Sequence, residues 1–232
     1  LSSKIVRTAS VNQNQNNLMT NSDYAVVFGS QSRAHYYSSI LTYTKSELLD
    51  NNEKEYAKMN MQNVASAAKS TGAEVIYLVV PSSAAVYPET VPGEYKAASG
   101  ETLYKTFKNI AESTGAKVIY PLDVFQSHKN DGEGFKIYSN TDSHWTTYGA
   151  YWGVHSLMSY ISAKHPSAKP RTTGEMGFYT AELYGGDMLF SFGDGKGFEN
   201  YSQAAATNGA TSITGINELT TLYKLKMPTD TL

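Results

Sequence analysis

The chain of 232 residues has no cysteine, which removes disulfide staples, thiolate zinc sites and thiol redox chemistry together. It has no run of about 18 apolar residues, so no segment reads as a membrane-spanning helix. An apolar signal-peptide core is also missing, and Leu1-Ser2-Ser3 stands where an initiator Met would. The expectation is a chain cut downstream of a signal or anchor segment, belonging to a secreted or cell-surface, extracytoplasmic protein. Blocks of basic residues are absent and the formal net charge is −2, which leaves DNA or RNA without an electrostatic footprint. His-X3-His and HExxH spacings are lacking, so no zinc site is expected. Asp123, Asp131 and Glu133 fit no calcium-loop spacing and read as solvated loop carboxylates. No metal and no cofactor is expected.

What is present suits one globular α/β domain: hydrophobic residues make up 41%, enough to bury a core. Residues 1–22 are polar and rich in Asn and Gln and read as an irregular lead-in. Residues 23–232 read as the domain. Tyr24-Ala-Val-Val-Phe28 ends at Gly29 and predicts a short strand. Thr44-Lys-Ser-Glu47 has the capping-box pattern and predicts the start of a helix, interrupted near Asn51-Asn52. Two segments then repeat each other, Ser70-Thr-Gly-Ala-Glu-Val-Ile-Tyr77 and Ser113-Thr-Gly-Ala-Lys-Val-Ile-Tyr120. In each, a helix ends at a glycine suited to the left-handed conformation, a β-branched strand follows, and Pro81 or Pro121 stops it. Successive helix–strand units imply parallel strands flanked by helices. A further helix is predicted from Thr147, capped by Thr146, with Ala150, Val154, Leu157, Met158 and Ile161 as its buried face. Residues 166–232 are rich in Gly, Ser and Thr and read as a loop-rich extension.

The residues with chemistry lie in Tyr138-Ser-Asn-Thr-Asp142-Ser-His144-Trp-Thr-Thr-Tyr-Gly-Ala150. An Asp two positions before a His in extended chain places both side chains on one side. The carboxylate can then accept from one imidazole nitrogen, fix the tautomer and leave the other nitrogen as a general base toward a serine. The same residues also suit a packed polar pair at a helix start, with Asp142 as a cap. Tyr87, Tyr138, Trp145, Tyr148 and Trp152 cluster by sequence near this segment, and aromatic faces stack on sugar rings; most such rings pack in cores. Trp145 has the strongest functional claim because it adjoins His144. Lone Arg33 and Arg171 read as surface salt-bridge partners or as holders of an anionic sugar. His128, His155 and His165 are scattered, and His165 falls at a helix end.

Asn140-Thr-Asp-Ser-His-Trp-Thr-Thr-Tyr-Gly-Ala150 resembles the "TDxHWTxxGA" signature of the alginate O-acetyltransferase AlgX/AlgJ family and the related DHHW proteins. Leu78-Val-Val-Pro-Ser-Ser-Ala-Ala-Val-Tyr-Pro-Glu-Thr-Val-Pro92 is similar to that family's "vvPsK…vYPEylP" segment, and Tyr184-Gly-Gly-Asp-Met-Leu189 to its "GDL" element. The resemblance covers roughly residues 24–190. It implies an SGNH-hydrolase-like fold in which Asp and His precede the nucleophilic Ser, the reverse of the usual order. Asp142 is then the orienting acid and His144 the base, with Trp145, Tyr148, Tyr87 and Tyr138 near the substrate. The nucleophile of such proteins follows on a later strand ending Gly-Asp-Ser or Gly-Thr-Ser, and no serine here has that context, so it is expected after Leu232. Ser30 and Ser32, behind the strand Tyr24–Phe28, are the rival nucleophiles and otherwise turn serines. The implied function is O-acetyl transfer to a secreted or cell-surface polysaccharide, with a membrane-bound O-acyltransferase as the source of acetyl groups. A carbohydrate esterase and a non-catalytic polysaccharide-binding or assembly subunit are the alternatives.

Overall fold

The computed structural model describes residues 10–11, 18–20, 25–29, 33–44, 49–132, 134–184, 186–190 and 217–225. Three sheets and seven helices make up this part. The first sheet is antiparallel throughout: β1 (Ser10–Val11), β2 (Leu18–Thr20), β3 (Ala25–Phe28) and β4 (Ala34–Tyr36), in that order. Two of these strands fall in the stretch read as an irregular lead-in. Helix α1 (Tyr37–Thr44) runs straight out of β4. Thr44 therefore ends a helix, its hydroxyl donating to the Ile40 carbonyl, where the sequence pattern placed a helix start. The capping box is formed by Asp50 and Glu53, each accepting from the other's backbone N–H at 2.8 Å, and it opens α2 (Asn51–Ser70).

The two repeated segments fold as expected. α2 and α4 (Leu103–Ser113) both end in a glycine at positive φ, Gly72 at 72° and Gly115 at 85°. A side chain there would be strained in the left-handed region. Each glycine turns the chain into a strand, β5 (Ile76–Leu78) and β6 (Lys117–Ile119), which pair in parallel with Tyr77 opposite Val118. Behind this pair Met61, Ala111 and Val118 are buried, with Tyr77, Val79, Tyr104, Phe107 and Ile110 packed against them. Ala57, Ala65 and Ala68 of α2 are half-buried on the same side as Met61, and Tyr56, Met59 and Val64 face outward.

The loops beyond the carboxyl ends of the parallel strands carry α3 (Ser83–Val86) and α5 (Leu122–His128). A second core fills the space between them and α6 (Thr147–Lys164): Val86, Tyr87, Phe125, Ile137, Tyr138 and Tyr148 are buried, with Trp145, Trp152 and Phe178 against them. Thr146 caps α6 as the sequence predicts, its hydroxyl accepting from Gly149 N at 3.1 Å. The buried face of α6 is a different one, however. Tyr148, Gly149, Tyr151 and Gly153 are buried, and Val154 is exposed. The aromatic rings of Phe125, Phe135 and Phe178 draw the tyrosine side of the helix inward, and ring area outweighs the aliphatic stripe.

The C-terminal extension holds more regular structure than its composition suggests. β7 (Met176–Tyr184) and β8 (Asn217–Leu225) pair antiparallel along their whole length, and α7 (Asp187–Phe190) is the next described element after β7. Among the described residues no helix is long and apolar enough to cross a membrane.

Candidate active site

The segment between α5 and α6 closes a narrow loop, with Tyr138 bridged to Trp145 and Thr146 N bonded to Ile137 O at 2.8 Å. Arg33 fixes one side of it. Its guanidinium donates to the carbonyls of Tyr138 and Ser139 at 3.1 and 3.0 Å and lies 3.6 Å over the Tyr87 ring. Arg33 is buried, so the reading of it as a surface partner or a sugar holder is corrected: it staples the loop to the core. Arg171, in contrast, is exposed and stands 3.9 Å from Glu175.

At the loop tip Asp142 and His144 meet. Asp142 Oδ1 accepts from the backbone N of His144 at 2.8 Å and from its ring Nδ1 at 2.9 Å. The segment is a bend rather than a strand, so the two side chains are joined by this side-chain-to-backbone turn, not by strand alternation. The ring is 76% exposed, and among the described residues its Nε2 has no partner. The ring's hydrogen bond to Asp142 raises the His144 pKa above the ordinary value; burial opposes it, and the charges of Asp142 and then Asp187 add to the rise. A carboxylate on Nδ1 and an open Nε2 are what a general base requires.

A residue that sequence reasoning did not single out completes the group. Asp187, at the start of α7, accepts from Ser143 N at 2.7 Å and Ser143 Oγ at 2.5 Å, and its Oδ2 is 3.8 Å from His144 Nδ1. The ligand atoms of Asp142, His144 and Asp187 lie within 4.8 Å of one another. All four carboxylate oxygens already accept hydrogen bonds or receive them from nearby donors, so a cation would compete with main-chain amides. The only clue in sequence was the Gly-Asp-Met-Leu stretch, which gives no role by itself.

The serine that the described residues bring to the imidazole is Ser143, whose Oγ is 3.5 Å from Nδ1. That is the nitrogen Asp142 occupies, so Ser143 is not placed as a nucleophile. Ser30 and Ser32, the rival nucleophiles, lie outside the described residues.

The aromatic residues expected at the substrate are mostly elsewhere. Tyr87, Tyr138 and Tyr148 are only 4 to 5% exposed, and their hydroxyls serve the fold. Tyr87 Oη accepts from Ile137 N, Tyr138 Oη donates to Pro81 O, and Tyr148 Oη donates to Asp131. These rings are core: each hydroxyl finds a hydrogen-bond partner, buried for Tyr87 and Tyr138 and at the surface for Tyr148, and the ring area goes with it. Trp145 is half-buried against Phe125. Asp131 also receives His128 at 2.7 Å, and that imidazole stacks on Trp152, while Glu133 lies outside the described residues. The cleft of about 850 Å³ beyond the carboxyl ends of β5 and β6 is lined by other rings, Tyr43, Tyr104 and Tyr120, with Asp123 and Gln126.

A parallel strand pair with helices behind it, and an Asp-X-His turn on a loop at one side, make an α/β domain with an exposed carboxylate–imidazole pair. The family model for the SGNH hydrolase-like domain of acetyltransferase AlgX matches residues 40–217, and the chain belongs to that family. It is 29% identical over 90 residues to "Probable alginate O-acetylase AlgJ" of Azotobacter vinelandii, covering 39% of this chain and 22% of that protein. With the protein of the same name from Pseudomonas fluorescens it shares 33% identity over 119 residues, 50% of this chain and 28% of the relative. The match thus spans about a quarter of the length of these relatives. Among solved structures, the O-acetyltransferase domain of Pseudomonas putida AlgJ superposes with a TM-score of 0.55 at 18% identity, over 87% of this chain and 66% of that one. That likeness is one of fold.

Proposed function

We propose that this domain carries the acid–base half of an O-acetyltransferase that modifies an extracytoplasmic polysaccharide, with His144 as the general base and Asp142 as the carboxylate that orients it. The observation carrying the reading is the 2.9 Å contact between Asp142 Oδ1 and His144 Nδ1 beneath an exposed ring, in a chain of the AlgX family. The names of the alginate O-acetylase relatives support a polysaccharide acceptor.

In this reading His144 Nε2 takes the proton of a serine hydroxyl as that oxygen attacks an acetyl carbonyl. The leaving group departs with the proton, and an acetyl-serine remains. A sugar hydroxyl then attacks, giving its proton to Nε2, and the serine oxygen leaves, taking that proton back from Nε2 as the sugar ester forms. The serine is proposed to follow Leu232, with Ser30 and Ser32 as the alternatives within the present sequence. A membrane-bound O-acyltransferase is the proposed source of acetyl groups.

Hydrolysis is the second reading, and the openness of the His144 ring favours it, since transfer requires the acceptor sugar to keep water from the acyl-enzyme. One assay separates the two: the full-length protein with p-nitrophenyl acetate, with and without acceptor oligosaccharide. Transfer predicts acetylation that depends on acceptor and falls on the order of 1,000-fold in His144→Ala. Turnover that ignores the acceptor assigns an esterase. Undiminished turnover in His144→Ala removes both.

A further inference from the structure

We propose that Asp187 is a positioning residue for this chemistry: a second carboxylate that locks the Asp142–Ser143–His144 turn from outside the loop and keeps Nε2 facing outward. The proposal rests on the reading of His144 as the base.

Three sets of contacts converge on it. First, both oxygens of Asp187 grip Ser143, the residue between the acid and the base, at 2.7 Å to its N and 2.5 Å to its Oγ. Second, the backbone N of Asp187 points at Asp142 Oδ2, 3.3 Å away. That contact fixes the rotation of the Asp142 carboxylate, turning Oδ1 to His144. Third, the chain around Asp187 is pressed against the loop. Gly186 N donates to Thr141 Oγ1 at 2.9 Å and Met188 N to Thr141 O at 3.1 Å. A Cβ on Gly186 would fall 2.4 Å from Thr141 O and 2.5 Å from Asp142 Cα, so only glycine permits this approach.

The charged and titratable groups facing the imidazole are Asp142 from its own loop and Asp187 from α7, with Tyr36 of β4 behind the latter at 3.5 Å. Both carboxylates stand on the Nδ1 side. They favour the tautomer with the proton on Nδ1 and the lone pair on Nε2. When Nε2 takes the serine proton, the proton on Nδ1 stays in place, and the resulting positive ring has two carboxylates on its Nδ1 side. A latch that merely held the loop would not influence the ring in this way.

The test reads the ring directly. Imidazole ¹⁵N resonances of His144 are titrated in the chain as it stands, in Asp187→Asn, in Asp187→Glu and in Asp142→Asn. The expected result is a lower His144 midpoint and a mixture of tautomers in Asp187→Asn, smaller in extent than in Asp142→Asn, with most of the midpoint restored by Asp187→Glu. In the full-length protein Asp187→Asn should lower kcat about 10- to 100-fold with KM little changed. If Asp187→Asn does not fold, the unaltered protein still answers. The Asp187 carboxyl ¹³C resonance should inflect at the His144 midpoint, and a flat trace overturns the proposal. A His144 titration and tautomer unchanged by Asp187→Asn overturns it as well, while leaving the transferase reading intact. Full transfer in His144→Ala, by contrast, sinks the base and its positioning residue together.

Discussion

The imidazole of His144 stands in opposing fields. Helix α6 begins three residues later, and its N-terminal dipole disfavours a positive ring. The hydrogen bond to Asp142, opposed by burial and aided by the charges of Asp142 and Asp187, raises the pKa above 6.5. A base must be neutral to act, so kcat/KM for acyl transfer should climb with pH through a midpoint above 6.5. Asp142→Asn removes the largest contribution, so its acid limb should shift to lower pH while the plateau falls by at least about 100-fold. A pH–rate profile of the full-length protein checks both, and a limb that stays put in Asp142→Asn would mean that some other group titrates. The raised pKa has a stability counterpart of opposite slope, present below pH 6.5 and lost as pH rises through the folded value. It is small for a ring this exposed.

At the scale of elements, Thr146 joins the Asp142–His144 loop to α6. Its hydroxyl accepts from Gly149 N and donates to Lys136 O, tying the helix start to the strand-like chain before the loop. Thr146→Ala should cost about 1 to 2 kcal/mol in urea unfolding, the usual worth of an N-cap plus one buried hydrogen bond. A change below about 0.3 kcal/mol would show that neither the cap nor the Lys136 contact holds the helix start, since the cap alone exceeds that. This cap was legible because it is local: a Thr just ahead of a periodic stretch. The glycine-ended repeats and the Asp142–His144 pair were legible for the same reason. Local signals also compete, and Thr44-Lys-Ser-Glu47 and Asp50-Asn-Asn-Glu53 carry the same box pattern. Only the latter opens a helix, because α1 already occupies residues 37–44. Contacts distant in sequence left no mark. Arg33 reaches its carbonyls across 105 and 106 residues, and Asp187 reaches Ser143 across 44. β7 and β8 are separated by residues 185–216, whose Gly, Ser and Thr content set the reading of the whole extension.

Across the whole molecule, the antiparallel sheet is joined to the parallel unit by a buried histidine. His35 on β4 is fully buried, with Nδ1 2.9 Å from Ser83 Oγ on α3 and Nε2 2.9 Å from Thr90 Oγ1. Burial, with the Arg33 charge nearby, lowers its pKa from 6.5 to about 3. As pH falls below 6.5 the unfolded chain takes up a proton at this position and the folded one does not. Stability is therefore full above pH 6.5 and drains steadily toward pH 3, on the order of 1 kcal/mol per pH unit for one proton. His35→Gln keeps a hydrogen-bonding side chain but cannot titrate. It should be less stable than the natural chain at pH 7, because one of the two hydroxyl contacts is lost, yet lose less with each unit of acid, so that the two stability curves converge between pH 6 and 4. Urea unfolding of both proteins at half-unit intervals measures this. Carboxylates elsewhere titrate in both chains and cancel in the difference. Parallel curves would mean that the folded state protonates His35 readily, and the joint between the two sheets would then be open to water rather than sealed.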